Sequence, residues 1–322
     1  MPDACLRVAD PGLLATVQDE GRPGVGSLGI AIGGAADLTS HRAVNRVLGN
    51  PSDAATIELT LTGGTFAFPC DVWFALGGAP ADAWLERADT ARAEVAWWTV
   101  TLARAGEVLR IGHTRAGVRT YLGVAGGVRT PVMMGSRSTH VSAEFPIPAL
   151  RAGTSLPLDA KAVCTAHAGA CLSESQRSSI EQAVFRSTLR VTVGPHAETL
   201  GQDGVEQLFR TEFRISSECN RAGVRLHSTL HGAEGQSHAA HGRMLTQPMA
   251  PGFVQVPARG RPIILGREHP TTGGYPVVAS VIAADMDGVG QLRPGRTVRF
   301  EKVTMEEAQR AWRERPLALG IV

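Results

Sequence analysis

The chain has 322 residues, 43% of them hydrophobic and 5% aromatic, which supplies a core for one large domain or two ordinary ones and excludes a disordered chain. A formal net charge of +2 is too small for a binder of nucleic acid or another polyanion. Lysine occurs only at Lys161 and Lys302, and Cys5, Cys70, Cys164, Cys171 and Cys219 form no C-x-x-C pair, so reduced thiols of a cytoplasmic protein are expected.

No basic-then-apolar leader opens the chain, and the longest apolar run, Val277 to Ala284, is too short to span a bilayer. A first helix is expected from Asp37 to Leu48, with Asp37 as N-cap and Gly49 and Asn50 as the stop. Strands are expected at 65–68, 72–76 and 120–124, then at 189–193, 253–256, 262–265 and 277–282. Further helices are expected near 173–185 and 196–210. A last one starts at Thr304, where Thr304 and Glu307 form a capping box. A turn-plus-strand unit recurs at Arg104–Ile111, Arg151–Leu158 and Arg293–Phe300. Each has Arg, any residue and Gly, then alternating apolar residues, which reads as a glycine turn feeding a half-buried strand. The polar stretch from Leu172 to Ser187 divides two β-rich halves. The expected organisation is mainly β (α+β), with a β-rich domain over 1–175, a second over 188–305, and a terminal helix and tail over 306–322.

Several motifs can be weighed on chemistry. Gly24 to Gly29 spells G-x-G-x-x-G but lies between no clear strand and helix, so no dinucleotide site is expected. There is no phosphate loop ending in Gly-Lys and no lysine in a biotin-acceptor setting. His227, His231, His238 and His241 have metal-like spacings, but the intervening Gly232 and Gly235 break any helix, so no metal site is expected. On the first helix, His41 and Asn45 stack one turn apart beside Arg42, at the border of the stripe of Val44 and Leu48. They are either a structural hydrogen-bond cluster or face a ligand. Ser136, Arg137 and Thr139 sit in one tight polar loop, and Thr272 and Tyr275 in another. Both loops offer hydroxyls and flexible backbone to a small polar ligand.

Taken together, these segments resemble one family. The stretch from Asp10 to Arg22 (DPGLLATVQDEGR) is similar to a P-G-x-x-[TS]-T-[VI]-Q-D-x-G-R opening. Gly34 to Asn50, Glu58 to Gly63, Ala125 to Val128 and Gly135 to Thr139 resemble the blocks that follow. Cys219 to Leu226 (CNRAGVRL), Phe253 to Pro257 and Thr271 to Pro276 resemble the closing ones. The family is the biotin-dependent carboxyltransferase-like, KipA-like group, often labelled allophanate hydrolase subunit 2. It includes C subunits of 5-oxoprolinase and the second half of the carboxyltransferase domain of urea carboxylase. Ala36, Cys219 and Glu268 depart from its usual methionine, serine and aspartate.

The resemblance implies a C-terminal cyclophilin-like β-barrel and work in a complex. It implies one component of an ATP-dependent 5-oxoprolinase that hydrolyses 5-oxo-L-proline to L-glutamate, working with a KipI-like B subunit together with an A subunit. Such a chain would carry no covalent biotin and touch neither nucleic acid nor membrane, and it would be inactive alone. A carboxyltransferase acting on urea or a related amide, with a separate biotin carrier, is an alternative. A KipA-like regulator of a KipI-like kinase inhibitor is another. The matched motifs give Asp37, His41 and Arg221 as candidate catalytic residues, with His41 or ionised Asp37 relaying a proton. Arg42, Asn45, Ser136, Arg137, Thr139, Asn220, Thr272 and Tyr275 are the candidate groups for substrate or nucleotide. Arg42, Arg137 and Arg221 are of the type that holds phosphate or carboxylate in a bidentate grip.

Overall fold

The structure is a computed structural model, and it describes residues 4–87, 91–159, 168–228, 244–257 and 260–319. The chain divides into two compact units. The first comprises Met1–Pro23 and Gly33–Ile180, and the second Gly24–Ile32 and Glu181–Val322.

The first unit carries β1 (Cys5–Asp10), β2 (Ala15–Gln18), α1 (Leu38–Val47), β3 (Thr56–Thr60), β4 (Thr65–Ala67) and β5 (Val72–Gly78). It continues with β6 (Ala81–Glu86), β7 (Arg92–Glu94), β8 (Thr101–Ala103), β9 (Val108–Thr114), β10 (Arg119–Val124) and β11 (Ser155–Pro157). These form a six-stranded sheet in the order β11-β1-β4-β9-β6-β7 and a five-stranded sheet in the order β2-β3-β10-β5-β8. Leu6, Phe66 and Leu109 from the first sheet and Ile57, Leu76 and Leu122 from the second share one core. The six-stranded sheet has an open outer face, and β6 and β9 accordingly alternate between buried and accessible residues. The five-stranded sheet is covered twice, by that core and by α1, so every residue of β10 is buried.

Two glycines let the helix lie close to this sheet. A Cβ on Gly123 would stand 2.4 Å from Val44 Cγ1, and one on Gly77 would stand 2.2 Å from the Trp98 ring and 2.5 Å from Val44 Cγ2. The N-cap is as expected: Asp37 Oδ1 accepts from the Ser40 amide at 2.9 Å. Gly49, at φ 71°, ends the helix.

Helix α2 (Glu174–Val184) spans the division between the units. The second unit contains β12 (Thr188–Val193), α3 (Gly201–Arg210), β13 (Phe213–Ile215), β14 (Gly223–Ser228), β15 (Gln247–Pro248) and β16 (Phe253–Gln255). After these come β17 (Ile263–Leu265), β18 (Thr272–Gly273), β19 (Val277–Val281), α4 (Met286–Gly290), β20 (Thr297–Lys302) and α5 (Met305–Leu319). Seven of the strands close a barrel in the order β12-β19-β16-β17-β14-β13-β20, sealed by the parallel pairing of β12 with β20. Leu189, Leu226, Val254, Ile264 and Val298 fill it. The closed barrel agrees with the mainly β expectation.

Each repeated turn unit folds alike. Gly106, Gly153 and Gly295 take φ of 87°, 87° and 83°, and β9, β11 and β20 follow them. In each, the amide three residues after the arginine donates to its carbonyl: Glu107 to Arg104, Thr154 to Arg151 and Arg296 to Arg293, at 3.0, 3.0 and 3.1 Å. The Thr304–Glu307 capping box forms at 2.8 and 3.2 Å. The helix expected over 196–210 breaks at Gly201, φ 66°, into a 3-10 turn and α3. The Gly24–Gly29 motif is a 3-10 turn over Gly26–Leu28, well before α1 begins. Among the described residues, no helix is long and apolar enough to cross a membrane.

The close seating of α1 is testable. Gly123→Ala should cost about 1–3 kcal/mol in chemical denaturation, as overpacking does. Adding Val44→Ala, which removes the methyl that the new Cβ meets, should recover part of that loss. Strict additivity of the two losses would contradict the packing described.

Candidate functional site

The polar residues of α1 turn inward. Asp37 is 0% exposed; its carboxylate accepts from the Ser40 amide and hydroxyl, and its own amide donates to Tyr121 Oη at 2.8 Å. Tyr121 in turn donates to Glu58 Oε2 at 2.9 Å, and Glu58 also accepts from the Ala36 amide at 2.8 Å. Burial, reinforced by the Glu58 charge, pushes the Tyr121 phenol well above its ordinary range and keeps it a donor. His41 is 0% exposed as well. Its Nε2 accepts from Asn45 Nδ2 at 3.4 Å, which fixes the proton on Nδ1, and Nδ1 donates to Thr56 Oγ1 at 2.9 Å. Desolvation lowers its pKa to about 4, so the ring is neutral. Asn45 also donates to the Ala54 carbonyl at 2.8 Å and accepts from Asn50. Of the two readings left open for this helix, the geometry favours the hydrogen-bond cluster. The proton relay expected at Asp37 and His41 finds both side chains enclosed, because helix capping and sheet packing already occupy their polar atoms.

Arg42 makes a two-pronged ion pair with Glu20, at 2.7 and 2.8 Å, and these hydrogen bonds hold the Glu20 carboxyl below its usual range. Arg221, expected to be catalytic, is buried in an ion pair with buried Glu268. That pairing accounts for an acidic residue at 268. In the same unit, Asn220 Oδ1 accepts from the Ala222 and Gly223 amides and turns the chain into β14. Thr272 is exposed on β18. Tyr275, 50% exposed, borders a cavity of about 330 Å³ with Glu218, Arg225, His227 and Arg261. His231, His238 and His241 lie outside the described residues. Among the described residues, no three His, Cys, Asp or Glu side chains gather as a metal-ligand group.

The loop from Gly135 to Thr139 is organised by Asp19, at the end of β2. Its Oδ1 accepts from the Ser136 and Ser138 hydroxyls at 2.6 and 2.5 Å and from the Gly21 amide at 2.8 Å. Its Oδ2 accepts from the Arg137 amide at 2.6 Å. The Ser138 hydroxyl also accepts from the Asp19 amide, while buried Thr139 donates its amide to the Val17 carbonyl. The loop leaves a two-residue hairpin turn in which Met133 and Ser136 exchange hydrogen bonds at 2.9 and 3.2 Å. Met134 and Gly135 hold φ of 52° and 78°, as a type I′ turn requires. A methionine at positive φ costs about 1–2 kcal/mol, and such strain persists where surrounding contacts impose it.

Arg137 lines a cavity of about 730 Å³ in the first unit. The helix end Arg46–Asn50, the Ala125–Gly126 turn, Arg129 and Val132 also line it. Asn50 braces the wall: it donates to the Val124 carbonyl at 2.9 Å and accepts from the Gly126 amide at 2.7 Å. Of the candidate residues, Arg137 lines this cavity, and Asn45 supports it from behind through Asn50. Arg46 and Arg129, isolated arginines in the sequence, are brought there by the fold alone.

Burial disfavours the His41 imidazolium in the folded state only, so the unfolded chain takes up that proton first as pH falls. The contribution is complete above 6.5, the ordinary histidine value, and is lost as pH drops toward about 4. It amounts to about 3 kcal/mol. The His41 ring resonances should stay unshifted down to about pH 5, and titration near 6.5 would contradict the enclosed site.

Comparison with known proteins follows this architecture. A family model for the carboxyltransferase domain, subdomain A and B, matches residues 28–302. The chain is similar to the C subunit of Escherichia coli 5-oxoprolinase, at 33% identity over 95% of this chain and 94% of that protein. It is similar to urea amidolyase of Saccharomyces cerevisiae, at 27% identity over 94% of this chain but 17% of that protein. The solved structure of K. lactis urea amidolyase superposes with a TM-score of 0.84 and 24% identity over 99% of this chain and 20% of that one, a likeness of fold. A barrel-bearing β fold, a match across most of its length and a whole-chain relative above 30% identity together make this chain a member of the carboxyltransferase domain, subdomain A and B, family.

Proposed function

We propose that the chain works as the C subunit of an ATP-dependent 5-oxoprolinase, inactive alone and acting with a KipI-like B subunit together with an A subunit. The observation that carries this reading is the likeness to the C subunit of Escherichia coli 5-oxoprolinase, which extends over nearly the whole of both chains. The substrate, 5-oxo-L-proline, holds a resonance-stabilised amide that water attacks poorly. Transfer of the terminal phosphoryl group of ATP to the amide oxygen leaves ADP and makes that oxygen a leaving group. Water then adds to the activated carbon, the ring C–N bond breaks with a proton passing to nitrogen, and a second water hydrolyses the resulting acyl phosphate to L-glutamate and phosphate. Fixed donors must hold the negative charge that gathers on oxygen along this path.

Within this chain we assign the substrate or phosphate contact to the Ser136–Arg137 loop. Its support is that Arg42 and Arg221 already grip glutamates, whereas no hydrogen bond or ion pair engages the Arg137 guanidinium among the described residues. A second reading, carboxyl transfer to urea or a related amide, is favoured by the family model itself. It needs biotin on another chain or domain, because this chain's lysines, Lys161 and Lys302, stand in no acceptor setting.

Co-expression with the KipI-like and A-type partners, followed by size-exclusion chromatography and phosphate-release assay, separates these readings. The first predicts co-elution and phosphate release that requires 5-oxoproline and all three chains. Separate elution at micromolar concentration without turnover would contradict it. Bicarbonate-dependent turnover that appears only with a biotin carrier would transfer support to the second.

A further inference from the structure

We propose that the cavity of the first unit is a binding site for a phosphoryl oxyanion, held by Arg137 with Arg46 and Arg129. Three guanidiniums line this cavity, each a rigid fork of N–H donors. A monocarboxylate satisfies one such fork, whereas a tetrahedral dianion presents enough lone pairs for several. Arginines outnumber carboxylates in this lining by three to two, Asp19 and Asp53 being the acids. Asp19 is occupied by four donors from Gly21, Ser136, Arg137 and Ser138, and Asp53 is exposed to solvent. Exposed Arg129 meets half-buried Asp159 at 3.2 Å, a partly screened contact that a bound dianion can replace.

Two independent features mark Arg137 as the anchor. Its backbone is pinned by the Asp19 carboxylate and its neighbouring serines are pinned with it, yet half-buried Arg137 lines the cavity with no hydrogen bond or ion pair to its guanidinium among the described residues. The turn that delivers it holds Met134 at φ 52°, a conformation that methionine rarely adopts. At about 730 Å³ the cavity is far larger than a phosphate ion, and Val47, Leu48, Pro51, Ala54 and Val128 give it an apolar wall. Free phosphate and the phosphate end of a nucleotide share the recognised chemistry.

Isothermal titration of the full chain alone with inorganic phosphate, ATP or acetate, at low ionic strength, tests the site. Phosphate or ATP should bind saturably. Arg137→Ala should weaken that binding at least about tenfold with an unchanged melting temperature, because the side chain holds nothing within the fold. Arg151→Ala, in a surface turn, should bind as the parent does. Binding of both phosphate and ATP supports a free-phosphate site, and binding of ATP alone supports a nucleotide site. Acetate as effective as phosphate, no binding of either phosphate compound at millimolar concentration, or full binding by Arg137→Ala would each overturn the proposal. The inference rests on the contact assigned above to the Ser136–Arg137 loop, but its readout involves no partner chain, so its failure is distinguishable from failure of the three-chain reaction.

Discussion

The polar architecture of the first unit depends on one carboxylate. Asp19 sits where β2 ends, 7% exposed, and accepts four hydrogen bonds, three of them from the Ser136–Ser138 segment more than a hundred residues along the chain. A buried carboxylate left without donors would be expensive, so this segment is bound to the strand end as firmly as the charge requires. Ring-like ordering of the loop follows. Ser136 and Ser138 are fixed by their hydroxyls and Arg137 by its amide. The strained Met134 turn is a consequence of the same closure.

The opposite wall of the cavity comes from α1, and its construction explains why so many polar residues of that helix are hidden. His41, Asn45 and Asn50 form a chain of hydrogen bonds from Thr56 through the helix to the Val124 and Gly126 backbone. Gly77 and Gly123 bring the helix close enough to the sheet for that chain to connect. The helix therefore acts on the cavity from behind. Its polar groups set the position of residues 46–50, which line the cavity.

Much of this was legible in the sequence where a residue type has one strong physical meaning. Glycine after Arg-x marked three turns that take positive φ, and Asp37 and the Thr304–Glu307 pair marked helix starts. The strands read from apolar runs are present at β4, β5, β10, β12, β16, β17 and β19. The short β2, with all four residues buried, has no alternation to read, and β14 opens on Gly223, whose missing side chain makes room for Ile263 and the Ile264 carbonyl. Site residues were harder. His41 and Arg221 have residue types suited to chemistry, but type does not reveal that Thr56, Asn45 and Glu268 occupy their polar atoms. Arg46 and Arg129 carry no local signal, because only the folding of distant segments brings them to the same cavity as Arg137.

The central claim is that the Asp19 carboxylate holds the Arg137 loop in its cavity-facing form. Amide hydrogen exchange resolved at Arg137 tests it most directly. With its amide bonded to Asp19 Oδ2 at 2.6 Å, Arg137 should be strongly protected in the parent protein. In Asp19→Ala that protection should collapse while the amides of β10, inside the five-stranded sheet, stay protected. An Arg137 amide that exchanges freely in the parent, or equally slowly in Asp19→Ala, would contradict the account.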